Sequence, residues 1–269
     1  MRRALVTTLT ALLALLAVFP LLWMIAVSFM SPGSAAQFPP PLLPAQPTLE
    51  NYRLLFAGHG LGRYLANSVL VSCLATALAL TFVMPAGYAL AKLRFSGRTA
   101  IVRFLVLALL VPGQIGMLPL FLELKALGLV NSYAGVLVPW LAGIFGIFMV
   151  RQYCLSTPDE MIEAARIDGA SEWQIFWHVV LPTLRPVIAT LALFVFLGAW
   201  NDFMWPLIVL ADQDLYTLPV ALAALSRENV QDIELMMAGA VVTTLPVLLV
   251  FLALQRQFIG GLLSGSVKG

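Results

Sequence analysis

Long apolar stretches follow one another along the chain. Stretches without Asp, Glu, Lys or Arg lie at 4–49, 64–91, 104–122, 126–150, 186–201 and 235–255. A helix needs about 20 apolar residues to cross the hydrocarbon core of a bilayer. Prolines crowd the second half of the first stretch, so a helix there is expected to end near Met30. The pattern predicts an all-α polytopic membrane protein with six transmembrane helices, near 5–30, 64–91, 102–122, 134–155, 184–210 and 236–257.

The composition supports a chain that is dissolved mainly in lipid. Apolar residues make up 61% of the sequence and charged residues only 10%, whereas about 25% is usual for charged residues in soluble domains. The net charge of +2 is too small to indicate nucleic-acid binding. Cys73 and Cys154 suggest neither a disulfide framework nor a metal site. We expect the whole chain, 1–269, to form a single transmembrane domain.

The first span could instead be a cleaved signal peptide. Arg2 and Arg3 precede the apolar run, and Ser34, Ala35 and Ala36 are small residues like those at cleavage sites. However, the run is about twice as long as a usual signal sequence, and no cleavage site lies near its end. We therefore expect this segment to remain as a transmembrane helix.

The distribution of basic residues predicts the orientation in the membrane. With the N-terminus in the cytoplasm, eleven of the fifteen Lys and Arg residues lie on the inner side and four on the outer side. Short cytoplasmic loops carry the excess of positive charge in membrane proteins. Both termini are therefore expected to be cytoplasmic, and so is the long polar loop 156–183.

That loop has the local signals of two short helices joined by a bend. Thr157 can cap the first helix, and Pro158 suits its first position. Gly169 allows the left-handed turn that ends many helices. Ser171 and Gln174 repeat the capping pattern, so a second helix is expected to run toward residues 181–182.

One face of the first helix carries small side chains. Met161, Ala164, Ala165 and Asp168 follow the i, i+3, i+4, i+7 spacing of a helix face. Small side chains let another surface approach closely. From the residues alone, the helix either packs on its own membrane domain or presents this face to another protein.

Further comparison of these residues gives a specific resemblance. Glu163-Ala164-Ala165, Gly169 and then 179–182 (Val-Val-Leu-Pro) resemble the EAA motif of ABC importer permeases, with Val179 in place of the usual Ile. The chain is similar to the maltose-type sugar permeases, in particular the partner with six spans. Supporting segments are 50–52 (Glu-Asn-Tyr), 67–68 (Asn-Ser), 88–92 (Tyr-Ala-Leu-Ala-Lys), 95–98 (Phe-Ser-Gly-Arg), 200–203 (Trp-Asn-Asp-Phe) and the tail 255–269.

The resemblance implies a permease domain that imports a sugar or sugar-like solute across the inner membrane of a prokaryote. Its partners would be a second homologous permease, two ATPase subunits that hold ATP and Mg, an extracytoplasmic solute-binding protein and membrane lipid. Residues of the EAA region would couple the permease to the ATPase, namely Glu163, Ala164, Ala165, Asp168, Gly169 and Ala170. The tail 258–269, with Gly260, Gly261 and Gly265, would contact the ATPase, although taken alone it resembles a frayed end.

The chain itself lacks the signature of an ATP site. None of its three lysines, Lys92, Lys125 and Lys268, follows a glycine as a P-loop requires. We therefore expect no cofactor in this chain, no enzyme activity, and hydrolysis on a separate subunit.

The alternatives are a secondary transporter, an ABC permease for a non-sugar solute and a membrane-embedded enzyme. We see no clear internal repeat and no convergent catalytic group, which disfavours the first and the last.

Four polar or aromatic residues are candidates for the solute path. Trp200, Asn201 and Asp202 lie in the fifth span, where an intramembrane acid suggests function. Asp202 could equally make a hydrogen bond between helices. Gln114 lies where prolines and glycines interrupt the third span, which is either a kink or a cavity lining. No metal ligands are expected. Three glycines of the fourth span are expected at close helix contacts, namely Gly135, Gly143 and Gly146.

Overall fold

The computed structural model describes residues 2–228 and 232–264 of the 269-residue chain. Within these ranges the backbone forms helices and turns and no strand. The α-helices in chain order are α1 (Arg2–Ser28), α2 (Glu50–Arg53), α3 (Leu61–Lys92), α4 (Arg98–Ala108), α5 (Met117–Ala126), α6 (Tyr133–Leu137), α7 (Ile144–Leu155), α8 (Asp159–Ile167), α9 (Glu172–Ile175), α10 (Leu181–Thr183), α11 (Arg185–Trp200), α12 (Met204–Val209), α13 (Leu218–Glu228) and α14 (Ile233–Ser264). Short π or 3₁₀ turns occupy Leu54–Gly58, Gly113–Gly116, Val138–Trp140, Phe176–Val180 and Gln213–Leu215.

The described residues contain four helical segments that are long and apolar enough to cross a membrane. These are Leu5–Ser28, Leu61–Lys92, Tyr133–Leu155 and Ile233–Ala253. Two further helix pairs qualify only as bent pairs. The chain bends by 102° between Arg98–Ala108 and Gly113–Ala126, and by 82° between Glu172–Thr183 and Arg185–Trp200. The described chain therefore has four candidate spans, or up to six if each bent pair is one span.

Four of the predicted helices differ in their details, one of them being 134–155, which is interrupted between α6 and α7. The segment 102–122 is broken around Pro112, because proline removes a backbone donor and is followed here by glycine. The segment 184–210 ends its first helix at Trp200 and resumes at Met204. The last helix runs on to Ser264 and does not end near 257, since the sequence 258–264 contains no proline to stop it.

The first of two compact units comprises residues 1–66 and 216–248. Its buried centre lies where α1 ends: Val27, Met30 and Ala35 pack with the partly buried Ile233 and Met237. The chain therefore turns back on itself after α1 and covers the start of α14.

Two buried polar side chains hold the first unit together. Asn51 donates from Nδ2 to the carbonyl oxygens of Ser28, at 2.9 Å, and Met30, at 2.8 Å. Glu234 is fully buried, and its Oε1 accepts the backbone N–H of Ala35 at 2.6 Å. These contacts tie the segment after α1 to α2 and to α14. In the described part of the chain, Asn51 Oδ1 and Glu234 Oε2 are buried without a hydrogen-bond partner, which reduces the net stabilisation.

The second unit comprises residues 67–215 and 249–269. Its main hydrophobic core joins the last turns of α3 to α7, α11 and the loop that follows α7. The buried members are Val83, Met84, Tyr88, Ala91, Val150, Cys154, Ile162, Ile175, Phe176, Val180, Leu184, Val187 and Leu191. The polar loop 156–183 is therefore anchored in the same core as the helices around it.

Close contacts at glycines confirm part of the packing prediction. A Cβ at Gly146 would lie 3.0 Å from side-chain atoms of Val83 and Leu191. One at Gly135 would lie 3.0 Å from Val209 Cγ1 in α12 and 2.4 Å from the loop carbonyl oxygen of Leu129. The prediction is wrong for Gly143, because a Cβ there would have nothing within 4 Å; this residue stands in the break before α7.

Candidate functional site

Residues 159–183 form two helical arms joined at a bend, which we call the EAA hairpin. The first arm is α8, and the second runs from Glu172 through a π turn to Thr183. The bend is at Gly169, whose φ of +83° lies in the left-handed region. The N–H of Gly169 donates to the carbonyl of Arg166, and that of Ala170 to the carbonyl of Ala165, both at 3.0 Å. These bonds satisfy the end of α8 in the manner typical of a glycine cap.

The two arms begin in different ways. In the second arm, Ser171 Oγ accepts the N–H of Gln174 at 3.3 Å, and Gln174 Oε1 accepts the N–H of Ser171 at 2.9 Å. The predicted capping pattern is thus confirmed. The prediction that Thr157 caps the first arm is wrong: the cap position is Pro158, with no side-chain bond. Thr157 is buried, and its carbonyl accepts a bond from Lys92 instead.

The first arm has one buried face and one exposed face. Ile162 is buried in the core of the second unit, and Ala165 packs against that core. Glu163, Ala164 and Asp168 are exposed. The helix therefore packs on its own domain, as one of the two alternatives expected, and its other face is exposed. Whether that face contacts another protein stays a prediction.

Exposed apolar side chains lie around the bend of the hairpin. Ile167 is 86% exposed and Trp173 61% exposed. Trp173 stacks on Phe176, with ring centroids 5.7 Å apart, and meets Trp177 edge to face at the same distance. Large exposed apolar groups beside polar ones are typical of a surface that a partner covers.

Ion pairs surround the hairpin on the side of α3. Lys92 bonds to the carboxylate of Asp159 and holds the pKa of that carboxyl below its usual value. Arg166 Nε donates to Glu172 Oε1 at 2.7 Å and, with a bond from Tyr88, lowers the pKa of Glu172. Both carboxylates are therefore ionised at neutral pH, and the pairs persist there. Lys92 and Tyr88 belong to the quoted segment 88–92, but sequence reasoning gave neither of them a role.

A concave pocket of about 800 Å³ lies beside the same ion pairs. Its wall combines four basic and three acidic side chains, from Lys92, Arg94, Arg98, Arg166, Asp159, Glu163 and Glu172. Asp159 and Glu172 are paired within this wall, whereas Glu163 makes no hydrogen bond in the described part of the chain. Glu163 is therefore an exposed acid, and its charge acts on the neighbouring Arg166 without a hydrogen bond between them.

The candidate solute-path residues lie at the junction of α11 and α12. Trp200 is buried and stacks on Phe196, with centroids 5.8 Å apart. Asn201 is exposed and bonds to the carbonyl of its own helix. Asp202 is half-buried, and its Oδ1 accepts the N–H of Trp205, in the first turn of α12, at 3.3 Å.

Gln114 lies apart from this junction in the hydrogen-bond pattern. It is exposed in the 3₁₀ turn Gly113–Gly116, just after the break in the third predicted span. Within 2–228 and 232–264, no hydrogen bond joins it to Trp200, Asn201 or Asp202.

The candidate tail residues lie at the end of the described chain. Gly260 and Gly261 fall within α14, where only the backbone is described. Gly265 lies outside the described residues.

The fold and the hairpin together define a class of protein: an all-helical, multi-pass membrane protein with a bent, polar, partly exposed helical arm. Residues 83–262 match the family of binding-protein-dependent transport system inner membrane components, and the chain belongs to this family.

Relatives support this assignment over nearly the whole chain. The chain is 40% identical to the arabinooligosaccharides transport system permease protein AraQ of Halalkalibacterium halodurans, covering 96% of this chain and 94% of the relative. It is 34% identical to the diacetylchitobiose uptake system permease protein NgcG of Streptomyces coelicolor, covering 95% of this chain and 85% of the relative. The fold matches a chain in the crystal structure of a bacterial ABC transporter involved in the import of the acidic polysaccharide alginate. The TM-score is 0.82 and the identity 27%, and the match covers 94% of this chain and 95% of that chain.

Membership of the family settles several predictions from the sequence. The chain is the permease component of an ABC importer and a multi-pass protein of the cytoplasmic membrane. It is not an enzyme, because ATP hydrolysis takes place on a separate subunit. Permeases of ABC importers pair with a second permease and with ATPases. These predictions are confirmed.

Proposed function

We propose that this chain is one of two permease subunits in an importer for a sugar or sugar-like solute. The observation that carries this proposal is the similarity to an arabinooligosaccharide permease along 96% of the chain. The other relatives handle diacetylchitobiose and, in the solved structure, alginate. All three are built from linked sugar units, which makes oligosaccharides the first candidates for the solute.

The chain crosses the membrane six times in this proposal, with both termini in the cytoplasm. Four spans are the long helices already described. The third is the bent pair of α4 and α5, and the fifth is α11 followed by α12. The excess of basic residues on the inner side supports this orientation. It places the EAA hairpin in the cytoplasm, where an ATPase can reach it.

The hairpin connects the permease to the ATPase in this proposal. The contact residues are those of the EAA region, namely Glu163, Ala164, Ala165, Asp168, Gly169 and Ala170. Closure of the ATPase dimer on ATP pulls the hairpin, and the membrane helices change between inward and outward openings. This works only if the two states of the permease differ in their affinity for the ATP-bound dimer. The exposed carboxylate of Glu163 and the exposed Ile167 side chain support this contact.

The complete importer contains more than this chain. We infer a second homologous permease, two ATPase subunits with ATP and Mg, an extracytoplasmic solute-binding protein and surrounding lipid. The family description itself refers to a binding protein. The tail 258–269, with Gly260, Gly261 and Gly265, is a second contact with the ATPase in this proposal.

Asp202 tests whether the junction of α11 and α12 lines the solute path. In Asp202→Ala the carboxylate is lost, and with it any hydrogen bond to solute hydroxyls. If the residue lines the path, stimulation of ATP turnover by solute-loaded binding protein is expected to fall about fivefold with normal assembly. Asp202→Asn keeps an oxygen that can accept the N–H of Trp205 and a solute hydroxyl, so it separates the loss of the charge from the loss of these hydrogen bonds. A loss of assembly in the alanine variant alone would show that Asp202 only holds the first turn of α12 through Trp205.

Reconstitution tests the proposed function as a whole. The chain is co-expressed with its partner permease, ATPases and binding protein, purified, and placed in proteoliposomes. Uptake and ATP turnover are then measured with a panel of mono-, di- and oligosaccharides. We expect ATP-dependent uptake of at least one sugar and weaker ATPase binding when the chain ends at residue 258. Uptake driven by an ion gradient without ATP would contradict the proposal and indicate a secondary transporter.

A further inference from the structure

The proposed function leaves open which membrane helix receives the movement of the EAA hairpin. A pull on the hairpin opens or closes the membrane helices only if the hairpin is held firmly by at least one of them. In the second unit, the hydrogen bonds around the hairpin point to the cytoplasmic end of α3.

Lys92, the last residue of α3, bonds to the start of the first arm. Its side chain is 7% exposed, and its Nζ donates to the carbonyl of Thr157 at 2.7 Å and to the carboxylate of Asp159. Asp159 is the first residue of α8. Bonds from an ammonium to a carboxylate are stronger than those between neutral groups. The Asp159 side chain is 72% exposed, so solvent weakens this pair, whereas Thr157 is buried.

Tyr88 bonds to the start of the second arm. It lies four residues before Lys92 on the same helix, so both side chains share one face. Tyr88 is 3% exposed, and its hydroxyl donates to Glu172 Oε2 at 3.0 Å. Glu172 is the first residue of α9, and its other oxygen accepts from Arg166 in the last turn of α8. One carboxylate thus joins both arms to α3.

Packing reinforces the same junction. The ring of Tyr88 lies 5.5 Å from that of Phe176, and both belong to the core that also contains Ile162. A Cβ at Gly87 would lie 2.5 Å from Val150 Cγ1, so α3 also touches the helix that leads into the hairpin. The junction therefore includes both arms and the segment before them.

We propose that Lys92 and Tyr88 are positioning residues that fasten the EAA hairpin to the end of α3. When the ATPase displaces the hairpin, the displacement passes to α3 and is not absorbed by the loop. This inference rests on the proposed function, because it assumes that an ATPase moves the hairpin. Neither residue contacts the solute or ATP.

The test compares transport with ATP consumption in the complete importer. Tyr88→Phe and Lys92→Met are reconstituted in proteoliposomes with the partner permease, the ATPases and the binding protein. We expect the amount of sugar transported per ATP hydrolysed to fall about fivefold or more, while the ATPase still co-purifies. Lys92→Arg can still donate to the Thr157 carbonyl and to Asp159, so its ratio of sugar transported to ATP hydrolysed is expected to stay close to the wild-type value. Tyr64→Phe, near the start of the same helix, is the matched control for Tyr88→Phe, and we expect the wild-type ratio for it as well.

The outcomes separate this inference from the proposed function. A normal ratio of transport to hydrolysis in both Tyr88→Phe and Lys92→Met would overturn the fastening, even though the hairpin still binds the ATPase. If Lys92→Met does not accumulate in the membrane, Tyr88→Phe decides, since it removes a single hydroxyl. A wild-type complex whose ATPase binds without touching the hairpin would overturn the proposed function instead.

Discussion

Replacing Glu163 by lysine is expected to reduce ATP-driven uptake about tenfold or more while the protein still inserts and folds. The carboxylate is exposed and makes no hydrogen bond in the described part of the chain, so its loss leaves the membrane domain intact. In the complex, reversal of one member of a charge pair that binding buries costs roughly 2–5 kcal/mol. Uptake in proteoliposomes and co-purification of the ATPase should therefore both fall by about tenfold or more.

A matched charge reversal makes this result specific. Glu123 is exposed near the end of α5, outside the hairpin, and Glu123→Lys introduces the same change of charge. We expect it to leave co-purification at the wild-type level. Normal uptake by Glu163→Lys at normal abundance would show that the hairpin does not bind the ATPase through this residue.

Replacing Gly87 by leucine is expected to destabilise the membrane domain more than any other single change discussed here. A Cβ alone would lie 2.5 Å from Val150 Cγ1 and 3.1 Å from the backbone nitrogen of Arg151. The backbone contact cannot be relieved by rotating a side chain, so α3 and α7 must separate. Overpacking of this kind costs roughly 1–3 kcal/mol and sometimes more.

Thermal unfolding of the purified protein in detergent, followed by size-exclusion chromatography, measures this effect. Gly143→Leu is the control, because a Cβ there meets nothing within 4 Å. We expect Gly87→Leu to lower the melting temperature by several degrees or to abolish accumulation, and Gly143→Leu to change little. Equal melting temperatures for the two variants would contradict the close contact of α3 and α7.

Local signals in the sequence predicted the local features of the hairpin. Gly169 takes the left-handed conformation, and Ser171 and Gln174 form the predicted capping box. Each of these depends on residues within one or two turns, which a sequence displays directly. The predicted cap at Thr157 is wrong because the helix begins one residue later, with Pro158 at the cap position. The carbonyl of Thr157 accepts a bond from Lys92, 65 positions away. Nothing in the spacing of the two residues indicates that contact.

Hydropathy predicted where apolar helices lie, but not how they bend or which polar groups they bury. Pro112 marked the position of the break in the third span, whereas the angle of 102° depends on packing. Glu234 borders the last apolar stretch and was not singled out. It is fully buried and bonds to Ala35, which is 199 positions away. Long-range partners of this kind become visible only once the chain is folded.

Site-specific crosslinking from the hairpin tests the central claim most directly. Ile167 is 86% exposed next to the bend, so a photoreactive amino acid at this position would lie on the free surface. In membranes that contain the whole importer, we predict one crosslinked product that joins this chain to the ATPase and whose yield changes with ATP. Labelling of position 167 from the outer side of the membrane, with no product containing the ATPase, would contradict the account.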